Sequence, residues 1–136
     1  MALFRCMVKS GGGGSGLTET QLWENSSPGA TAGFTAKKVT LSGNIENYDY
    51  ICVEYAKAYN ALTTKAKVYW KVSDFQNFAL SAGSLVGSIS SMSNGPTLNS
   101  RGVRYESATE VYFGASYAGG STTNTWNIPL YIYGCK

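Results

Sequence analysis

Apolar and polar residues alternate with a period of two along most of this chain, a pattern that predicts strands with one buried and one solvated face. The clearest run places Ala66, Val68, Trp70 and Val72 on one side and Lys65, Lys67, Tyr69 and Lys71 on the other. Val39 and Leu41 alternate with Lys38 and Thr40, Ile51, Val53 and Tyr55 with Tyr50, Cys52 and Glu54, and Val103 and Tyr105 with Arg104 and Glu106. Val111, Phe113 and Ala115 alternate with Glu110, Tyr112 and Ser116, and Ile128, Leu130 and Ile132 with Pro129, Tyr131 and Tyr133. Weaker strands are expected near Leu22 and Ile89. Val68, Trp70, Ile51, Val53, Val111, Phe113, Leu130 and Ile132 are predicted to share one core.

Turn-forming clusters separate these runs at Ser26-Ser27-Pro28-Gly29, Asn94-Gly95-Pro96 and Gly119-Gly120-Ser121. Seven or eight short strands so punctuated predict an all-β fold, an antiparallel, jelly-roll-like β-sandwich. Between Asp74 and Leu85 the spacing of Phe75, Phe78 and Ala79 is helical, which predicts a short helix or a long loop across one end of the sandwich.

The amino-terminal part is organised differently. Residues 1–9, MALFRCMVK, form a short apolar segment, residues 10–16, SGGGGSG, a flexible linker, and residues 17–136 the sandwich domain. Leu3, Phe4, Met7 and Val8 give the first segment an apolar surface too small to fold alone but suited to adding a strand to another subunit's sheet, so it is expected to be an attachment segment. The linker reads as a natural tether spanning roughly 15 Å, or as an engineered scar.

Composition sharpens the class. A length of 136 residues suits one domain. Charged residues make up 14% and aromatics 13%, with 10 tyrosines, a balance that favours pleated surfaces over helices. The net charge is +3, but Arg5 and Lys9 precede the glycine run, leaving nine basic residues against eight acidic ones from Leu17 onward. A nearly neutral domain argues against nucleic-acid binding, which needs a clustered basic face. Cys6, Cys52 and Cys135 are widely spaced and odd in number, which suggests buried free thiols rather than disulfides or a zinc knuckle. No apolar stretch approaches the length of a membrane span or a signal peptide core, so no membrane insertion is expected and the chain should stay in a cytosol until assembly.

Candidate chemistry is sparse. The chain has no histidine, which removes Ser-His-Asp and Cys-His nucleophile systems and the usual zinc hydrolase ligands. Glu106 and Glu110 could serve as the carboxylate pair of a glycosidase, although solvated strand-edge glutamates account for both. The glycines at 11–14 lack the lysine of a phosphate loop. The expectation is a non-enzyme without cofactor or metal. Tyr112, Trp126, Tyr131 and Tyr133, on the outward parity or near loops, are candidate contacts for a glycan or for a second subunit, where Tyr and Trp are enriched.

Three stretches carry a resemblance. Leu22-Trp23-Glu24-Asn25-Ser26-Ser27-Pro28, then Phe34-Thr35-Ala36 with Val39-Thr40-Leu41, then Tyr48-Asp49-Tyr50-Ile51-Cys52-Val53-Glu54-Tyr55 are similar to a pattern in virion proteins of phages that infect gut and related bacteria. The end, Asn127-Ile128-Pro129-Leu130-Tyr131-Ile132-Tyr133-Gly134, resembles their I-P-x-x-I-Y-G ending. Asp74–Gly102 is unmatched. The resemblance implies a structural protein of tail-fibre, head-fibre or baseplate type, with an attachment segment, a β-rich tip and no catalytic residues.

The expected partners are copies of the chain itself, as a homotrimer or another symmetric oligomer, together with other virion proteins and host-surface glycan. The location implied is the virion, assembled in the host cytoplasm. The alternative is a monomeric, lectin-like carbohydrate-binding module, and a glycan hydrolase comes third. Independently of the resemblance, Trp23 ahead of Asn25 and Pro28 is expected to lid one end of the core.

Overall fold

The computed structural model describes residues 16–79, 81, 83–92 and 97–136. Leu3, Phe4, Met7 and Val8 of the expected attachment segment, almost all of the linker, Cys6 and the Asn94-Gly95-Pro96 turn lie outside the described residues.

The alternating runs form β1 (Glu19–Glu24), β2 (Lys37–Thr40), β3 (Tyr50–Ala58), β4 (Ala61–Lys71), β5 (Gly87–Met92), β6 (Leu98–Ser107), β7 (Glu110–Ala118), β8 (Ser121–Thr122) and β9 (Trp126–Cys135), with a single helical turn α1 (Val72–Phe75) after β4. One sheet has the order β1-β9-β3-β4, the other β2-β7-β6-β5 with β8 beside β7. Every pairing is antiparallel. First and last strands pair, as do β2 and β7, so the chain wraps both sheets in jelly-roll-like fashion. The inner strands close locally, as the hairpin β3-β4 and the meander β5-β6-β7.

Both sheets contribute to one core. Ile51, Val53, Val111, Phe113, Leu130 and Ile132 are buried in it, with Phe34, Ile45, Phe75, Ile89 and Val103. Edge position alters the rest of the expected set. In β4, Val68 and Trp70 face the core but are half-buried, and Ala66 is exposed, because β4 is the outermost strand of its sheet and has a neighbour on one side only. The helical turn supplies the missing cover: Trp70 stacks on Phe75 at 5.7 Å and meets Phe78 edge-on at 5.7 Å.

Two irregularities displace the simple alternation. Arg101 opposes Ser116 while Val103 opposes Phe113, so β7 carries an extra residue and the inward position passes from Ala115 to Ser116, which is buried. A bulge of this kind reverses the faces of the residues beyond it. A second shift, between Glu54 and Tyr55 in the β3-β9 ladder, buries Pro129, which was expected to face outward. The outer face of β3 is not wet either: Tyr50, Cys52 and Glu54 are all buried.

The recognisable stretches shape the chain. Asn25 donates from its side chain to the Pro129 carbonyl (2.9 Å) and accepts the Ser27 N–H (2.9 Å), starting the turn that reaches Pro28. Trp23 lies edge-on to Phe34 at 6.1 Å and tilted against Phe113 at 5.8 Å, half-covering that end of the core. A Cβ on Gly134 would stand 2.5 Å from the Tyr48 ring, so the carboxyl-terminal glycine makes room for the tyrosine that leads into β3.

Candidate functional site

The interior of one end of the sandwich is polar, and Arg101 organises it. Its side chain is fully buried, and all five of its N–H groups are used on backbone carbonyls. Nε donates to Asn127 (2.8 Å), Nη1 to Phe34 (2.8 Å) and Gly114 (2.7 Å), and Nη2 to Asn124 (3.2 Å) and Trp126 (2.9 Å). Burial pulls its pKa down to about 10, so the guanidinium stays charged at neutral pH. These bonds join β6, β7, β9 and the loop before β2. Gly33, at φ +77°, packs so tightly on Asn124 that a Cβ would lie 2.1 Å from its carbonyl oxygen. The Asn127 side chain donates to Ser116 Oγ and accepts from Ser91.

On the other side of the same strands lies a trough. Gly102 of β6 and Gly114 of β7 lie side by side along its floor, with Ser88 and Ser100 on one flank and Arg104, Tyr112 and Tyr117 around them. Its volume is about 370 Å³, in the lower part of the range of about 300–1,000 Å³ typical of small-ligand sites. Tyr117 is 51% exposed. The Arg104 guanidinium lies over the Tyr112 ring, 5.6 Å from its centroid. Arg101 beneath holds the Gly114 carbonyl, so the floor of the trough is fixed from inside the protein.

The four aromatic residues singled out from the sequence are not gathered in one place. Tyr112 lines the trough. Tyr131 and Tyr133 stack on each other at 5.7 Å on the outer face of the opposite sheet, and half-buried Trp126 sits at the start of β9 with the Lys57 ammonium 5.6 Å from its ring.

The Tyr131 and Tyr133 face is tied down by its own side chains. Glu19 on one edge strand accepts from Lys67 (2.8 Å) and Tyr69 (2.7 Å) on the other, reaching across β9 and β3. Beneath lie the free thiols of Cys52 and Cys135, both fully buried, as free cysteines in this chain were expected to be. Burial pushes the Cys52 thiol up to about 12 and the Cys135 thiol up to about 11, with the Cys135 charge raising Cys52 further. Burial also drives the Tyr133 hydroxyl up to about 12, together with the charge of Glu54, to which Tyr133 donates at 3.3 Å. Lys65 lies 3.1 Å from the same carboxylate.

A smaller cavity of about 290 Å³ opens between β4 and β5, where the edges of the two sheets face each other. The Tyr55 hydroxyl bridges it by donating to the Ser90 carbonyl (2.8 Å), which makes this gap a seam of the fold. Glu110, one of the two carboxylates considered for glycoside chemistry, is engaged by Lys38 at 3.2 Å and by the Ser107 hydroxyl at 3.1 Å, while Glu106 is exposed. Among the described residues no group of three or more Cys, Asp or Glu converges on one point, and no helix is long and apolar enough to cross a membrane.

Sequence reasoning missed Arg101, Tyr117 and the two glycines. Arg101 carried a usable signal: it shares the parity of Val103 and Tyr105, so a charge was aimed at the core. Tyr117 carried none, since its placement depends on the bulge. The chain matches no protein-family model and no curated protein.

Proposed function

We propose that this chain is a non-enzymatic structural and adhesion module of a phage virion, which meets its target through the outer face of β2-β7-β6-β5. The observation that carries the reading is the Gly102 and Gly114 trough, an open surface with the exposed Tyr117 ring, half-buried Tyr112 and serine hydroxyls over a backbone locked by Arg101. Rigid strands hold binding groups more accurately than loops do. The phage-like stretches support the virion location, since they coincide with residues that shape this fold, Asn25 at the first turn and Tyr48 against Gly134.

The stacked Tyr131 and Tyr133 on the opposite sheet suit contact between copies in a symmetric oligomer, because tyrosine is enriched at subunit interfaces. A monomeric carbohydrate-binding module would use the same trough, and mass in solution separates the two: a trimer or other ring supports the virion module, a monomer the alternative. Localisation tests the reading directly. The full chain is expected in purified particles, and removal of residues 1–16 should abolish its incorporation while leaving the melting temperature nearly unchanged. A full-length chain absent from particles overturns the proposal.

A further inference from the structure

We propose that the Gly102 and Gly114 trough is a binding site for a carboxylated pyranose, the uronate or sialate class of sugar. The inference rests on the adhesion reading for its biological setting and on three local observations for its chemistry.

The first is the pair of glycines. Glycine weakens a strand interior and commonly marks a bulge or the close approach of a ligand. Neither Gly102 nor Gly114 has a positive φ, so the bulge between them does not require glycine for its backbone angles. A Cβ on Gly114 would meet only the Gly102 backbone, at 3.7–3.9 Å, an ordinary contact. At Gly102 a Cβ would stand 3.3 Å from a Val86 methyl, so that glycine makes room for Val86, and the bare stretch of floor against which a flat ring can lie is at Gly114.

The second is charge. Arg104 borders the trough and no acidic residue lines it. Among the described residues no carboxylate lies within salt-bridge distance of Arg104, and Glu110, on the neighbouring strand, is taken by Lys38. A guanidinium held against a tyrosine ring has its planar donor edge free, which matches a carboxylate with two parallel hydrogen bonds. The third is the remaining lining: the Tyr117 ring offers an apolar face, and Ser100 offers a hydroxyl to the hydroxyls of the sugar, beside Ser88, whose hydroxyl is paired with that of Ser90 at 2.9 Å.

The pyranose would lie over Gly114, beside Val86, with its carboxylate toward Arg104. Calorimetric titration of the full chain tests this, with a galacturonate trimer against its methyl ester and sialyllactose against lactose. At least one acidic sugar should bind about tenfold or more tightly than its neutral counterpart, the size expected of a charge-assisted hydrogen-bonded pair. Arg104→Gln should remove that preference. Gly114→Ala should keep the melting temperature of the parent chain and weaken binding several-fold by raising the floor. Equal affinity for acidic and neutral sugars, or no binding of either acid, overturns the inference and leaves the adhesion reading standing. Absence from particles with the acid preference intact overturns the adhesion reading and leaves the site assigned.

Discussion

Arg101 is an enclosed cation with no counterion among the described residues, held by five carbonyl dipoles. The arrangement is specific to arginine. A lysine at this position keeps the charge but has three donors on one nitrogen, and methionine takes the guanidinium donor from all five carbonyls, of which Asn124 keeps the Phe34 N–H. Arg101→Lys and Arg101→Met are each expected to lower the unfolding free energy by several kcal/mol, on the order of 3–5, measured by urea denaturation. A loss below about 1 kcal/mol would show that the carbonyls find other donors. Trp70 is predicted to belong to the shared core, and it packs against that core from the edge strand. Being half-buried at an edge, Trp70→Ala should fall below the range of about 3–5 kcal/mol usual for a core tryptophan. At this scale the sequence was informative wherever alternation held, as at Ile51, Val53 and Ile132. It failed where a polar residue entered the core, since hydropathy reads Asn99, Arg101 and Asn127 as surface although all three are buried.

Strands were legible as elements because each carries enough alternating residues to commit to one face. The bulges were not, because a register shift is decided by the partner strand and leaves no mark on its own sequence; Ala115 and Pro129 were therefore assigned to the wrong faces. The link between β1 and β4 was also hidden, since it joins residues nearly 50 positions apart. Burial raises the Glu19 carboxyl pKa, but hydrogen bonds from Lys67 and Tyr69 and the Lys67 charge outweigh it and leave it below its ordinary value. A carboxylate whose pKa is lower in the folded than in the unfolded chain adds stability above its unfolded value, about 4.3, and that contribution disappears as the pH falls through the folded value. Burial lowers the Lys67 pKa, yet the hydrogen bond and charge of Glu19 raise it overall, so its contribution is present below about 10.4 and is lost at higher pH. The urea midpoint should therefore drop below about pH 4, and more shallowly in Glu19→Gln. An identical acid limb in the variant would show that the link adds nothing to stability.

As a whole molecule the protein has two unlike faces. The outer face of β1-β9-β3-β4 is closed by its own side chains over Cys52 and Cys135, while that of β2-β7-β6-β5 is opened by Gly102 and Gly114. Sequence patterning reached the two-sheet class but not this asymmetry, because the trough combines β5, β6, β7 and the approach to β2, and only their lateral order brings Ser88, Ser100, Arg104 and Tyr117 together. Of the aromatic residues chosen as contacts, Tyr112 alone lines the trough. Amide hydrogen exchange of the full chain, with and without purified envelope polysaccharide from the host, tests the assignment of the recognition face most directly. Slowed exchange is expected at residues 86–88, 100–104 and 112–117, with residues 131–135 unchanged. Slowing confined to β1 and β9, or none anywhere, would contradict it.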